Sequence, residues 1–167
     1  MDRQGRQRRR SGGWSRRSFM QASAGGLASV LAFPQRSAAE AGMLNRRPIP
    51  ASGQQIPVIG LGTARTFNVN PDDASAMDPL RRVLKAFFDG GGRVVDSSPM
   101  YGRAERVTGQ LAADLGIADE LFMATKVWTR GRADGIAQME RSRELMGGGR
   151  LDLIQVHNLV DLETQLA

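Results

Sequence analysis

The sequence predicts an α/β fold, in which the strands of a parallel sheet alternate with helices. From about residue 58 onward, short apolar runs typical of buried strands alternate with longer segments whose apolar residues recur every three or four positions. The later predicted strands begin at residues 93, 121 and 151, a spacing of 28 and 30 residues. Strands that alternate with helices at this period indicate βαβ units.

The predicted elements begin with a hairpin at 49–56, turning at Ala51-Ser52-Gly53. A strand is predicted at 58–63. The segment 78–89 is an amphipathic helix, because its apolar residues fall on one face at helical spacing. The remaining predicted elements, in order, are a strand at 93–97, a helix at 104–115, a strand at 121–127, a helix at 133–146, a strand at 151–157 and a further helix that opens at Asp161.

Three glycine-rich segments punctuate this pattern. The runs 90–92 and 147–149 each follow a predicted helix and precede a strand, so they are interpreted as helix ends rather than phosphate-binding loops. The segment 60–63 instead ends a strand. It matches a dinucleotide-binding fingerprint only weakly, although glycine there permits close approach of a ligand to the backbone.

The net charge of +6 arises entirely from residues 1–41, which hold eight arginines against two acidic residues. The other 15 basic residues are matched by 15 Asp and Glu, so nothing in the rest of the chain favours nucleic-acid binding. This segment, 1–41, is the leader; it has an Arg-rich start, an uncharged stretch at 21–33 and small residues at 37–41. This layout predicts an export signal cleaved after Ala39 or Ala41, with an Arg-rich arm that binds polyanions as the alternative.

The uncharged stretch of the leader is too short for a permanent membrane anchor. Its 13 residues would rise only ~20 Å as a helix, against a hydrocarbon core of ~30 Å. The absence of cysteine from the sequence excludes disulfides and a Cys nucleophile, and a single histidine makes a metal site improbable.

Three polar residues lie at the ends of consecutive predicted strands: Asp96, Lys126 and His157. The carboxyl ends of parallel strands are where α/β folds place ligands and catalytic groups, so these side chains are expected to share one pocket. Tyr101, the one tyrosine of the sequence, lies in the loop after Asp96. Singly, each residue has a structural explanation, such as a helix cap or a strand-end lysine. Together they favour a site for proton transfer.

Four short motifs occur in order: Gly60-Leu61-Gly62-Thr63, Asp96 with Tyr101-Gly102-Arg103-Ala104-Glu105, Ala124-Thr125-Lys126-Val127-Trp128 and Gln155-Val156-His157-Asn158. By these motifs the chain, from about Arg47 to its last residue, resembles the N-terminal half of an aldo/keto reductase. That family is built on a (β/α)8 TIM barrel and uses NADPH. The segment 15–20 resembles the twin-arginine motif of Tat signals, which implies transport by the Tat machinery to the periplasm or cell exterior.

The resemblance implies a catalytic tetrad of Asp96, Tyr101, Lys126 and His157. Tyr101 would be the general acid that protonates the carbonyl oxygen of a small-molecule substrate, and the Lys126 ammonium would make that donation easier. Asp96 would keep Lys126 charged and oriented, while His157 would bind the substrate oxygen. Trp128 would form part of the substrate wall.

The resemblance also implies a cofactor site at the same strand ends. Gly62, Thr63, Asp96 and Asn158 are expected near the nicotinamide of NADPH, with NADH as the alternative cofactor. A (β/α)8 barrel takes about 250 residues, whereas 42–167 supplies four strand–helix units. In barrels of this type, the loops after strands seven and eight usually hold phosphate. We therefore expect a truncated domain with a partial cofactor site and little or no reductase activity alone.

Two other functions remain open, the first of them implied by the family resemblance. Some members of this family serve as accessory subunits that bind nicotinamide without turnover. A barrel lyase or isomerase that uses Lys126 as a Schiff-base amine would place the same residue types at its strand ends.

Overall fold

The computed structural model describes residues 44–167. The predicted signal peptide at 1–41 lies outside the described residues. No helix within 44–167 is both long and apolar enough to cross a membrane.

A two-stranded antiparallel hairpin opens the described chain. Strand β1, Arg46–Pro48, pairs with β2, Gln55–Pro57. The turn between them reaches a positive φ of 72° at Gly53, where glycine carries no steric penalty. The predicted hairpin is confirmed, with its first strand slightly earlier in the chain than expected.

Four parallel strands form the main sheet, in the order β3-β4-β5-β6. Their bounds are Gly60–Gly62 for β3, Val94–Asp96 for β4, Phe122–Val127 for β5 and Leu153–Val156 for β6. Helices follow each strand: α1 is Ala74–Asp89, α2 is Ala104–Asp114, α3 is Arg132–Leu145 and α4 is Leu162–Leu166. Each strand pairs with its neighbour in sequence, so the predicted α/β fold with a parallel sheet is confirmed.

Helix α1 begins four residues earlier than predicted. The Asp73 carboxylate caps it, accepting hydrogen bonds from the backbone N–H groups of Ser75 at 2.9 Å and Ala76 at 3.3 Å. An N-cap of this kind satisfies donors that the helix itself leaves unpaired. Apolar periodicity missed this turn because Met77 is its only large apolar side chain.

The core lies between the parallel sheet and helices α1 and α2. Leu84 of α1, Val107 and Leu111 of α2, and Val95 of β4 are completely buried, and Met123 of β5 nearly so. Burying a side chain of this size contributes about 1.5–3 kcal/mol. The apolar faces of the predicted helices therefore determine which side of each helix meets the sheet.

Both glycine runs stand at helix ends, as predicted. Gly90 ends α1, and its N–H donates to the carbonyl oxygen of Ala86. After α3, Gly147 and Gly148 have φ values of 112° and 73°, which favour glycine. These turns lead into the amino ends of strands, opposite to the ends that carry Asp96 and Lys126.

Candidate active site

An ion pair between neighbouring strands lies at the centre of the candidate site. The Lys126 ammonium donates to both carboxylate oxygens of Asp96 at 2.7 Å and to the carbonyl oxygen of Ser97 at 2.9 Å. The Lys126 side chain is 13% exposed and that of Asp96 38%. The three N–H groups of the ammonium are therefore all used, which fixes its position.

The strand register explains why these two side chains meet. Asp96, the last residue of β4, is paired with Ala124 of β5. Lys126 lies two residues further along β5 and therefore projects from the same face as Ala124. Its long side chain reaches back to the carboxylate, so pairing of the two strands brings the charges together, and the Ser97 carbonyl just beyond β4 adds the third hydrogen bond.

Tyr101 reaches the pair from a short 3₁₀ turn, Pro99–Tyr101, that follows β4. Its ring centroid lies 5.3 Å from the Lys126 Nζ. The turn ends at Gly102 with a φ of 65°, and a Cβ there would lie 2.5 Å from the side-chain oxygen of Asn68. Glycine is thus required for both the backbone angle and the close approach, and the turn keeps Tyr101 over the ion pair.

His157 completes the cluster at the end of β6. Its ring meets Tyr101 edge-to-face with centroids 5.7 Å apart, and the ring centroid of Trp128, the residue directly after β5, lies 6.4 Å from that of His157. Burial, aided by the positive charge of Lys126, lowers the pKa of His157, while Asp96 acts in the opposite direction. The imidazole is therefore neutral around pH 7 and can donate a hydrogen bond from one nitrogen.

The predicted cofactor residues around this cluster differ in how accessible they are to a ligand. Gly62, at the end of β3, has open space where a Cβ would lie, and Asn158 is exposed with a left-handed φ of 54°. Thr63 is fully buried, and its hydroxyl donates towards Asp96 O at 3.0 Å and Ser97 Oγ at 2.9 Å. Any contribution of Thr63 to ligand binding would therefore act through the end of β4 that it supports.

Two side chains that the sequence did not predict as site residues also lie around the site. Ser98 is buried, and its Oγ lies 2.8 Å from Nδ1 of His157. Glu105 of α2 is buried behind β5, where it accepts a 2.6 Å hydrogen bond from the Thr125 hydroxyl, and burial raises its pKa. Glu105 stands in one of the motifs noted above, whereas a serine two residues after Asp96 carried no signal of its own.

The arrangement as a whole suits proton transfer to an oxygen atom. A cation fixed by a carboxylate lies against a phenol, and a neutral imidazole faces the same space. Trp128, 40% exposed, borders that space. The four predicted catalytic side chains, Asp96, Tyr101, Lys126 and His157, are therefore brought together.

Comparison with known proteins identifies the family of this chain. The model of the aldo/keto reductase family matches residues 58–164. An aldehyde reductase of Saccharomyces cerevisiae is 32% identical over 114 residues, 68% of this chain and 33% of that protein. A 9,11-endoperoxide prostaglandin H2 reductase of Trypanosoma cruzi is 33% identical over 62% of this chain and 34% of its own length. The chain thus spans about a third of the length of these curated relatives.

Solved structures agree in fold. An aldo/keto reductase from Klebsiella pneumoniae in complex with NADP and acetate superposes with a TM-score of 0.53 and 28% identity, covering 62% of this chain and 36% of that one. A further aldo-keto reductase from the same organism, in complex with NADPH, gives a TM-score of 0.57 and 25% identity, covering 73% of this chain and 44% of that one. From the matched motifs, the parallel sheet and the clustered side chains, the chain belongs to the aldo/keto reductase family.

Proposed function

We propose that this protein serves the NADPH-dependent reduction of a small carbonyl compound to an alcohol, with Tyr101 as the general acid. The observation that carries the proposal is the position of the Tyr101 ring, 5.3 Å from an ammonium that Asp96 holds in place and in edge-to-face contact with His157. Oxidoreductase relatives and NADP-bound family structures support the assignment.

The residues at the strand ends suit the nicotinamide end of such a cofactor. Gly62 leaves open space beside the backbone, and the exposed Asn158 offers an amide that pairs well with a carboxamide. We assign these two residues, with Asp96, to holding the nicotinamide, and Thr63 to supporting them from beneath. When bound, the nicotinamide supplies the hydride; NADH supplies the same chemistry.

Proton delivery is the task of the protein's own side chains. Negative charge develops on the carbonyl oxygen during reduction, so a donor must stand next to it. The Tyr101 hydroxyl donates its proton, and the Lys126 ammonium stabilises the phenolate that remains. Asp96 keeps Lys126 in position, and the neutral His157 donates a hydrogen bond that orients the substrate oxygen.

The hydrogen bonds of Lys126 argue against the Schiff-base alternative. An amine that attacks a carbonyl needs a free lone pair, whereas this ammonium donates three hydrogen bonds, two of them to a carboxylate. Borohydride added with a small aldehyde is therefore expected to leave Lys126 unmodified, as read by peptide mass spectrometry. A stable adduct on that residue would contradict the reductase assignment.

We further propose that residues 42–167 form the N-terminal half of a (β/α)8 barrel. The open parallel sheet supports this, because its outer strand β6 exposes Leu153 and Ile154, and a closed barrel would cover such side chains. On this proposal the chain alone turns over little or no substrate. Supplying the C-terminal half of a related barrel in trans should raise turnover.

The decisive assay follows NADPH oxidation by absorbance with a simple aldehyde, for the chain alone and with the added half-barrel. Tyr101→Phe keeps the ring contacts and removes the proton donor, so turnover should fall by about 100-fold or more while NADPH binding persists. If the reconstituted parent is active, equal turnover by reconstituted Tyr101→Phe would refute the mechanism. Cofactor binding without turnover in the reconstituted parent would instead favour an accessory, nicotinamide-binding role.

The leader is the basis of a separate proposal, export by the twin-arginine route. The pair Arg16-Arg17 within 15–20 supports it, together with the uncharged stretch that follows. Replacing both arginines by lysine keeps the charge and should block export from a bacterial host, measured by cell fractionation. Unchanged export would overturn this route.

A further inference from the structure

One buried hydroxyl joins the two strand ends that carry the proton-transfer residues. Ser98 lies two residues after Asp96, the last residue of β4, and is completely buried. Its Oγ accepts a hydrogen bond from the backbone N–H of Met100 at 3.1 Å and lies 2.8 Å from Nδ1 of His157. These are the two partners that the structure gives this hydroxyl within residues 44–167.

Hydrogen-bond accounting determines the direction of the Ser98–His157 bond. A serine hydroxyl carries one proton, and a buried hydroxyl proton needs an acceptor. The Met100 N–H is a donor and cannot accept it. Of these two partners, only the Nδ1 lone pair of His157 can accept the hydroxyl proton. Ser98 therefore donates, and Nδ1 carries no proton.

A neutral imidazole with an unprotonated Nδ1 must carry its proton on Nε2. We propose that Ser98 is a positioning residue that holds His157 in the Nε2–H form, so that the ring can donate a hydrogen bond to the substrate oxygen. This inference rests on the proposed function, because it assigns a purpose to the tautomer of a residue of that site.

The same serine also shapes the turn that carries the general acid. The Ser98 carbonyl oxygen accepts from the Tyr101 N–H at 2.9 Å, while its side chain caps the turn through Met100. The residue thus fixes the orientation of the His157 ring and the path of the Tyr101 backbone together. A substitution that removes the hydroxyl alone leaves the carbonyl contact to Tyr101 in place.

The chain contains one histidine, which makes the tautomer directly measurable. The full chain, labelled with nitrogen-15 at histidine, is observed by two-dimensional NMR at about pH 8, where the imidazole is neutral. We expect Nδ1 at the position of an unprotonated nitrogen and Nε2 at that of a protonated one. The opposite pattern in the unmodified chain would overturn the proposal without any variant.

The variant Ser98→Ala tests whether the Ser98 hydroxyl fixes this tautomer. Without the hydroxyl, the Nδ1 resonance should move and both nitrogens should shift towards the averaged values of a tautomer mixture. Ser97→Ala is the matched control, because Ser97 is an adjacent buried serine whose hydroxyl accepts from Thr63 instead. It should leave both nitrogens unchanged. Unchanged chemical shifts of both His157 nitrogens in Ser98→Ala would refute the role of Ser98. Since the measurement involves no cofactor and no turnover, this outcome is separate from failure of the proposed reductase function.

Discussion

Coupling between Asp96 and Lys126 is the property on which the proposed mechanism depends most. Two unit charges 4 Å apart interact by about 1 kcal/mol in water and by about 4 kcal/mol at an effective dielectric constant of 20. With Lys126 13% exposed and Asp96 38% exposed, this pair lies between those limits. We expect a coupling free energy of about 2 kcal/mol.

A double-mutant cycle measures this coupling. The free energy of unfolding is determined by urea titration and far-UV circular dichroism for the parent chain, Asp96→Asn, Lys126→Met and the double variant. Asp96→Asn should be the more damaging single change, because it leaves a nearly buried ammonium without its counter-charge. The double variant should recover part of that loss.

The pair Lys85 and Asp89 provides the control. It is as short, at 2.6 Å, but both side chains are more than half exposed on helix α1. Its coupling should stay below about 0.5 kcal/mol. A coupling for Asp96 and Lys126 no larger than this control would refute the view that the sheet holds Lys126 in a low-dielectric site.

Three further predictions concern pH and packing. Burial and the charge of Lys126 lower the pKa of His157, so NMR titration of this histidine should give a value below about 6.5, and Lys126→Met should raise it. Because the unfolded chain then binds the proton more readily, the free energy of unfolding should fall as the pH drops below about 6.5. In urea titrations, His157→Gln should lose this pH dependence. A pKa of His157 above the usual range would contradict the geometry. Burial raises the pKa of Glu105, so the contribution of this residue to stability should diminish as the pH rises above about 4. Glu105→Gln should flatten this pH dependence in the same titrations. An unchanged profile would exclude Glu105 as the source of the dependence. Gly109→Ala should destabilise the fold by about 1–3 kcal/mol despite alanine's higher helix propensity, because the added methyl group would overlap the Leu145 carbonyl oxygen. A rise in the urea midpoint of unfolding would instead show that α2 and α3 can move apart.

Local sequence pattern predicted most of the fold. Alternating apolar runs located β4, β5 and β6 to within two residues, since strand burial depends on the residues of the strand itself. The start of α1 was misplaced because its cap, Asp73, acts through a hydrogen bond that apolar spacing does not register. The same limit applies wherever a polar contact, rather than burial, fixes an element's end.

The sequence by itself determined which residue types stand at the strand ends, and strand alternation was enough to expect Asp96, Lys126 and His157 in one pocket. Only the tertiary structure decided the contacts between distant segments. Thr63 proved to be buried beside the end of β4, and Ser98 to lie 2.8 Å from a histidine 59 positions away. The physical reason is that a side chain's burial and its hydrogen-bond direction depend on neighbouring strands and loops, which no local periodicity records.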